Sequence, residues 1–177
     1  MGIEPMESEC LEAEDFRRII ASTHGLRVGD IPLSAEIELP LGAHMVTPRR
    51  GYAHHGIYVG QGRVVQYGGL SRGLRRGPVE EVSLSQFAQG RPICHRPGES
   101  LWFDRHEVVR RARVRIGENR YNVLKNNCEH FCEWCIRGEH RSYQVDEIIS
   151  RCARAWRRLT DVLSRSLFPR RSPADVH

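Results

Sequence analysis

Alternating apolar and polar positions in the middle of the chain predict a small antiparallel β-sheet. The segments HHGIYV (54–59) and RVVQY (63–67) are rich in β-branched and aromatic residues, and GQG (60–62) separates them, which is typical of a hairpin. Residues 68–77, rich in Gly and Arg, are predicted to form a loop. Three shorter segments predict further strands, over residues 43–47, 79–82 and 93–95.

Apolar positions at helical spacing predict four helices around these strands. They cover residues 8–22, 104–117, 127–138 and 145–167. Asp104 with Glu107 three residues later has the capping-box pattern of a helix N-terminus, and Gly117 and Gly138 are typical C-terminal stops. The combination predicts an α+β fold in which a small antiparallel sheet packs against helices.

The same pattern divides the chain into four parts. Residues 1–41 form an N-terminal helix and linker, residues 42–146 a folded domain, residues 147–168 a basic amphipathic helix, and residues 169–177 a disordered tail. The apolar side of the 147–168 helix is expected to pack on the domain core. The alternative is peripheral contact of this helix with an anionic membrane, since Arg residues cover its other side.

The amino-acid composition and the N-terminal sequence indicate which classes of protein to expect. The 177 residues are 40% hydrophobic and 28% charged, which is ordinary for a soluble globular protein. The N-terminus has neither the basic start nor the apolar segment of a secretory signal, so we expect a cytoplasmic protein whose six cysteines are free thiols. A net charge of +5 could suggest nucleic acid, but aromatic residues are not interleaved with the basic ones, and no such partner is expected.

The segment KNNCEHFCEWC (125–135) carries the first candidate for chemistry. Asn126 and Asn127 are residues that cap helices, so Cys128 is predicted at a helix N-terminus. Unpaired backbone N–H groups and the positive end of the helix dipole favour a thiolate there, and the same N–H groups can stabilise an oxyanion. Cys128 is therefore the candidate nucleophile.

The predicted hairpin supplies a histidine. Alternation along a strand places His54, Gly56 and Tyr58 on one face and His55 on the other. A three-residue loop over 60–62 would put Gln66 opposite Gly56, on the face of His54, where it could fix the tautomer of the imidazole. A two-residue loop would turn Gln66 to the opposite face. His55 is expected to be a packed or surface histidine.

The other cysteines allow metal-binding alternatives. The C-x3-C-x2-C spacing of Cys128, Cys132 and Cys135 also occurs at iron–sulfur clusters, but it falls here within a predicted helix. A zinc site would use Cys132, Cys135, His130 and His140. Apolar packing of Cys132 and Cys135 is favoured, so neither a cofactor nor a metal is expected.

Two segments, HHGIYVGQGRVVQYGG and NNCEHFCEWCIRGEHRSYQV, resemble the signature blocks of the lecithin:retinol acyltransferase-like family. That family is a circularly permuted branch of the papain-like NlpC superfamily, and the resemblance spans residues 42–146. It implies that Cys128 is the nucleophile and His54 the general base. Gln66 stands where the family generally has a second histidine, and Tyr52 and Arg49 match positions beside the nucleophile.

The resemblance also implies a reaction. Family members form a thioester acyl-enzyme and pass the acyl group to an amine, an alcohol or water. We therefore expect a thiol acyltransferase or hydrolase of lipid metabolism that acts on phospholipid esters through Cys128. Two alternatives stay open: a peptide or amide hydrolase of the same superfamily, and a non-catalytic binding module in which Gln66 marks lost activity.

Overall fold

The structure, a computed structural model, describes residues 25–33, 38–69, 77–97 and 102–167. Within these ranges six strands are present: β1 Ile31–Pro32, β2 His44–Arg49, β3 Tyr52–Gly60, β4 Arg63–Gly69, β5 Gly77–Ser83 and β6 Cys94–Arg96. The four helices of these ranges are α1 Leu84–Ala88, α2 Arg105–Val114, α3 Cys128–Arg137 and α4 Tyr143–Leu167. The predicted helix over 8–22 and the predicted tail over 169–177 lie outside the described residues.

The six strands form one sheet in the order β1-β6-β2-β3-β4-β5. Every neighbouring pair is antiparallel. An antiparallel sheet together with helices confirms the predicted α+β class. The central strands β2, β3 and β4 are buried along nearly their whole length, because helices cover both of their faces.

Two apolar clusters cover the two faces of the sheet. On one face, Ile57 and Val65 pack against α2 and α3, whose largest buried side chain is Phe131. On the other face, Val64 packs against Phe87 of α1. Neighbouring valines of β4 thus enter different clusters, as the alternation of side chains along a strand requires. Cys128 belongs to the first cluster.

The hairpin between β3 and β4 differs from its prediction. Gly60 belongs to β3 and is paired with Arg63, so the connection has two residues, Gln61 and Gly62, and the predicted three-residue loop is wrong. Both connecting residues have positive φ, at 51° and 67°. Two-residue hairpin turns of type I′ require positive φ at both central positions, a conformation that Gly adopts without strain.

The predicted position of Gln66 is nevertheless confirmed. The register shifts between Tyr58 and Gly60, which is a β-bulge in β3. The extra residue restores the parity that a two-residue loop alone would reverse, so Gln66 is paired with Gly56. Gly56 has no space for a side chain, because a Cβ there would lie 2.5 Å from Cγ1 of Val64.

Two helices differ from expectation in detail. Asp104 caps α2 as predicted, but the helix ends at Val114, three residues before Gly117. The short helix α1 was not predicted, although Ser83 and Gln86 form a complete capping box at its start. The Ser-x-x-Gln spacing was the available signal for this helix.

The chain divides into two compact units between Ser142 and Tyr143. The first contains the sheet and α1–α3, and the second contains the 25 residues of α4. Large apolar side chains along α4 are exposed: Ile148, Ile149, Trp156, Leu159, Val162 and Leu163. Among the described residues, no helix has the length and apolar character that crossing a bilayer requires.

Candidate active site

Cys128 is the first residue of α3, which confirms its predicted place at a helix N-terminus. The side-chain oxygen of the N-cap residue Asn127 accepts from the backbone N–H groups of Glu129 (2.9 Å) and His130 (3.0 Å). The ring of His130 accepts from the N–H of Asn127 (3.4 Å), and this bond completes a capping box. These bonds fix Cys128 in the first turn of the helix.

The sulfur of Cys128 lies near His55, the fourth residue of β3. The backbone N–H groups of His55, Glu129 and Cys128 itself are close enough to the sulfur to lower the pKa of its thiol. Pairing of β3 with β4 begins only at Gly56, so the His55 N–H precedes that ladder.

Cys128 and His54 lie in the same region, because Arg49 is within electrostatic range of both. The ring of His54 packs against Phe87 on the α1 face of the sheet, however, whereas Cys128 belongs to the cluster on the other face.

Burial keeps the Cys128 thiol protonated. The residue is 3% exposed, and its desolvation raises the pKa of the thiol to about 12. The carboxylate of Glu129 also raises this pKa, whereas the backbone N–H groups lower it. The prediction of a thiolate is wrong for this resting state, because the partial charge of a helix end does not offset the cost of burying an anion.

The ring of His54 is held from two sides. Its Nε2 atom is 2.8 Å from Oε1 of Gln66, and its centroid is 5.3 Å from that of Phe87. Burial lowers the pKa of His54 to about 4, although the hydrogen bond with Gln66 acts in the opposite direction. His54 is therefore a neutral imidazole at neutral pH, which is the form that can accept a proton.

Tyr52 and Arg49 are cross-strand partners in the register of β2 and β3. Burial raises the pKa of Tyr52, and a negative charge on Cys128 would raise it further. Burial lowers the pKa of Arg49, while its interaction with Tyr52 raises it. The guanidinium of Arg49 donates to the carbonyl of Ala88 and the hydroxyl of Thr47, both at 3.1 Å. Tyr52 and Arg49 thus lie within electrostatic range of Cys128.

His55 occupies a different environment from His54. Its Nδ1 atom lies 2.8 Å from Nε2 of His44, and both residues are buried. Burial lowers the pKa of His55 well below its usual value, and the neighbouring His44 lowers it further. His55 is thus a packed, neutral histidine, one of the two roles expected for it, and its backbone N–H lowers the pKa of Cys128.

Glu80 is a site residue that the sequence pattern did not reveal. It is paired with Gln66 in the register of β4 and β5, and it accepts a 3.1 Å hydrogen bond from Nε2 of Gln66. A strand over 79–82 was predictable, but local patterns do not show which strand it pairs with or in which register. The only signal available was the alternation of side chains along the strand, which indicates the residues that share a face with Glu80.

A buried ionic network lies next to Cys128. Glu129, the residue after Cys128, accepts a 2.7 Å hydrogen bond from the hydroxyl of Ser142 and lies 4.0 Å from a guanidinium nitrogen of Arg96. Arg96 binds Asp30 through two bonds of 2.7 and 2.9 Å. These interactions tie α3 to β6 and to the segment before β1, so the first turn of α3 has a fixed position.

The remaining cysteines of α3 are core residues. Cys132 and Cys135 are fully buried in the cluster that contains Phe131. Burial raises the pKa of the Cys135 thiol to about 12. In the described part of the chain no three His, Cys, Asp or Glu side chains are grouped closely enough to hold a metal ion. The geometry therefore supports apolar packing rather than a zinc or iron–sulfur site.

Cys128 and His54 are closed to solvent, with exposed fractions of 3% and 2%. A surface groove of about 860 Å³ is lined by residues that include Arg115, Arg120 and Trp134 and by neither Cys128 nor His54. A molecule from solvent can reach the sulfur only if the side chains that cover it move.

The comparison with protein families decides the classification. The sequence model described as lecithin retinol acyltransferase matches residues 37–141, more than half of the chain. The chain belongs to the lecithin retinol acyltransferase family. The matched segment contains Cys128, His54, Gln66 and Glu80, and therefore the whole of the hydrogen-bonded site described above.

Two members of this family are similar over part of their length. The chain is 30% identical to lecithin retinol acyltransferase of Mus musculus over an alignment 128 positions long, which covers 56% of this chain and 54% of the mouse protein. It is 31% identical to the Homo sapiens protein of the same name over an alignment of 127 positions, which covers 56% of this chain and 55% of the human protein. The chain thus spans about half the length of the curated relatives it matches. Both relatives are acyltransferases by name.

Proposed function

We propose that this family member is a thiol acyltransferase or acyl hydrolase that works through a thioester on Cys128. The observation that carries the proposal is the hydrogen bond between Nε2 of His54 and Oε1 of Gln66. The bond occupies Nε2 as a donor and leaves Nδ1 with a lone pair that can accept a proton. A nucleophile, a base and a group that orients the base are the parts this chemistry needs. The circularly permuted papain-like architecture implied by the sequence belongs to the same proposal.

The mechanism begins from a neutral pair. The proton of the Cys128 thiol passes to Nδ1 of His54 as the sulfur attacks the ester carbonyl of the acyl donor. The carbonyl oxygen becomes an oxyanion, which accepts hydrogen bonds from backbone N–H groups at the start of α3. His54 then returns its proton to the leaving alcohol, and the acyl group stays on the sulfur as a thioester.

The second half-reaction frees the enzyme. An acceptor alcohol, amine or water loses a proton to His54 while it attacks the thioester. The tetrahedral intermediate expels the Cys128 thiolate, which recovers its proton from His54, and the acylated acceptor leaves. Because the resting thiol has a pKa of about 12, the proton transfer belongs to the reaction step and not to the free enzyme.

A phospholipid is the proposed acyl donor, and the protein is proposed to be cytoplasmic with peripheral contact to a membrane. The names of the mouse and human relatives specify lecithin and retinol. The exposed apolar side chains of α4, such as Trp156 and Leu159, and its arginines, such as Arg157 and Arg158, suit an anionic lipid surface.

Product analysis tests this function. The purified chain is incubated with vesicles of phosphatidylcholine and phosphatidylserine, and lysophospholipid is measured by mass spectrometry. Wild-type protein should release lysophospholipid, and Cys128→Ala and His54→Asn should release none above background. Cys132→Ala, a matched change of a buried cysteine on the same helix, should keep the activity if it folds as wild type does. Equal release by wild type and Cys128→Ala would reject the proposal.

The burial of Cys128 favours one rival function, a non-catalytic binding module. A relative without activity would also show a thiol with a raised pKa and a glutamine in place of the second histidine. This rival predicts that wild-type protein binds lipid vesicles but yields no lysophospholipid at any pH between 6 and 9.

A further inference from the structure

Gln66 connects His54 to a carboxylate. Its Oε1 atom lies 2.8 Å from Nε2 of His54, and its Nε2 atom donates to Oε1 of Glu80 at 3.1 Å. Gln66 and Glu80 are register partners, so their side chains stand on the same face of the sheet. Three side chains on three adjacent strands thus form one chain of hydrogen bonds.

The direction of these bonds follows from chemistry. A carboxylate only accepts hydrogen bonds, so the NH2 group of Gln66 must face Glu80 and its carbonyl must face His54. The ring nitrogen that meets this carbonyl must carry the proton. Without a fixed acceptor, the amide of Gln66 could turn over and present N–H to His54, which would favour the tautomer with its proton on Nδ1. That tautomer has no lone pair on Nδ1.

We propose that Glu80 is a positioning residue of this site. It fixes the amide of Gln66 and, through it, holds His54 as the tautomer protonated on Nε2. The consequence for catalysis rests on the proposed function, in which Nδ1 of His54 takes the proton of Cys128. In this arrangement a glutamine and a carboxylate together perform the orienting task that a single side chain performs in a simple triad.

The packing around Glu80 supports this role. A Cβ added at Gly68 would lie 3.1 Å from Oε1 of Glu80, so the backbone of β4 closely approaches the carboxylate. Glu80 is half-buried, and its bond to Gln66 is partly buried as well. The neighbouring Glu81 instead binds Arg63 and Arg113 and makes no contact with Gln66 among the bonds of β5 that the structure describes.

Nitrogen NMR of the full chain with labelled histidine tests the inference directly. The ring signals of His54, identified by their loss in His54→Asn, should show the Nε2-protonated form in wild type. In Glu80→Leu they should shift toward a mixture with the Nδ1-protonated form, and Glu80→Gln, which keeps one acceptor oxygen, should lie between the two. Glu81→Leu removes the next carboxylate of the same strand and should leave the His54 signals unchanged.

Activity provides a second readout. Glu80→Leu should lower kcat by about tenfold to a hundredfold with little change in KM, as loss of a group that orients a catalytic histidine does. Gln66→Leu with Glu80→Leu should be no slower than Gln66→Leu alone. An unchanged His54 tautomer in a folded Glu80→Leu variant overturns the inference whatever the activity. A shifted tautomer in a protein without lipid activity would leave the inference standing and reject the proposed function.

Discussion

The protonation states of Cys128 and His54 determine the chemistry available to single residues of this site. Burial favours the uncharged form of both groups. It raises the pKa of the thiol to about 12 and lowers the pKa of the imidazole to about 4. The resting pair is therefore neutral. A buried, protonated thiol is less prone to oxidation and alkylation than an exposed thiolate.

The depressed pKa of His54 predicts a specific dependence of stability on pH. Its ordinary value is 6.5 and its folded value about 4, so the unfolded chain binds the proton first as the pH falls. The stabilising contribution is present above pH 6.5 and is lost on the way to pH 4. Between pH 7 and pH 5, His54 alone should lower the free energy of unfolding by about 2 kcal/mol.

Urea denaturation of wild type and His54→Asn at both pH values measures this contribution. The drop between pH 7 and pH 5 should be smaller in the variant by about that amount. His55, whose pKa burial also lowers, should account for part of the drop that remains. An equal drop in both proteins would show that His54 is not desolvated as described.

At the scale of elements, the sheet depends on close contact between its face and α1. Gly56 illustrates this, since an added Cβ would lie 2.5 Å from Cγ1 of Val64 and 3.0 Å from Cε2 of Phe87. Gly56→Ala should therefore destabilise the protein by about 1–3 kcal/mol. Gly29→Ala is the matched control, because no atom lies within 4 Å of the added Cβ. Equal unfolding midpoints for the two variants would contradict the described packing.

The helix α4 allows a test of membrane contact. Leu159→Asp places a charge in its exposed apolar stripe and should reduce co-sedimentation of the full chain with vesicles rich in phosphatidylserine by about tenfold or more. Thr160→Asp adds the same charge one position later and serves as the control, with a smaller expected effect. Binding that is equal in wild type and Leu159→Asp would end the membrane proposal for this helix.

Local patterns predicted most of these elements because each has a strong period or a clear cap. The strands of the hairpin, the cap at Asn127 and the stop at Gly138 follow from neighbouring residues alone. The bulge near Gly60 did not, because bulges depend on how two strands meet and twist. The partner of Gln66 was hidden for a similar reason, since the pairing of β4 with β5 joins segments separated by a loop.

Local sequence patterns are limited in the same way at the candidate site. The sequence predicted that Gln66 lies on the face of His54, which their hydrogen bond confirms. It also predicted a thiolate at Cys128, where burial raises the pKa of the thiol to about 12. The helix position is visible in the residues that cap α3, whereas burial results from the packing of the sheet, α2 and α3 around the sulfur. Protonation states depend on this burial and cannot be obtained from the helix position alone.

At the scale of the whole molecule, the chain combines a family domain with a separate basic helix. The match to the lecithin retinol acyltransferase family covers residues 37–141, which lie in the first compact unit, and α4 is in the second. The net charge of +5 favours approach to anionic surfaces, an effect that salt weakens. The proposed function assigns the thiol chemistry to the first unit and contact with lipid to α4.

Detection of the acyl-enzyme tests the central proposal most directly. The full chain is mixed with a phosphatidylcholine of defined acyl chains, quenched with acid, and digested for peptide mass spectrometry. The peptide that contains Cys128 should gain one acyl group, which hydroxylamine should remove as expected for a thioester, and Cys128→Ala should acquire none. A wild-type protein that consumes the lipid without acylation of Cys128, or that never reacts with it, would contradict the proposed mechanism.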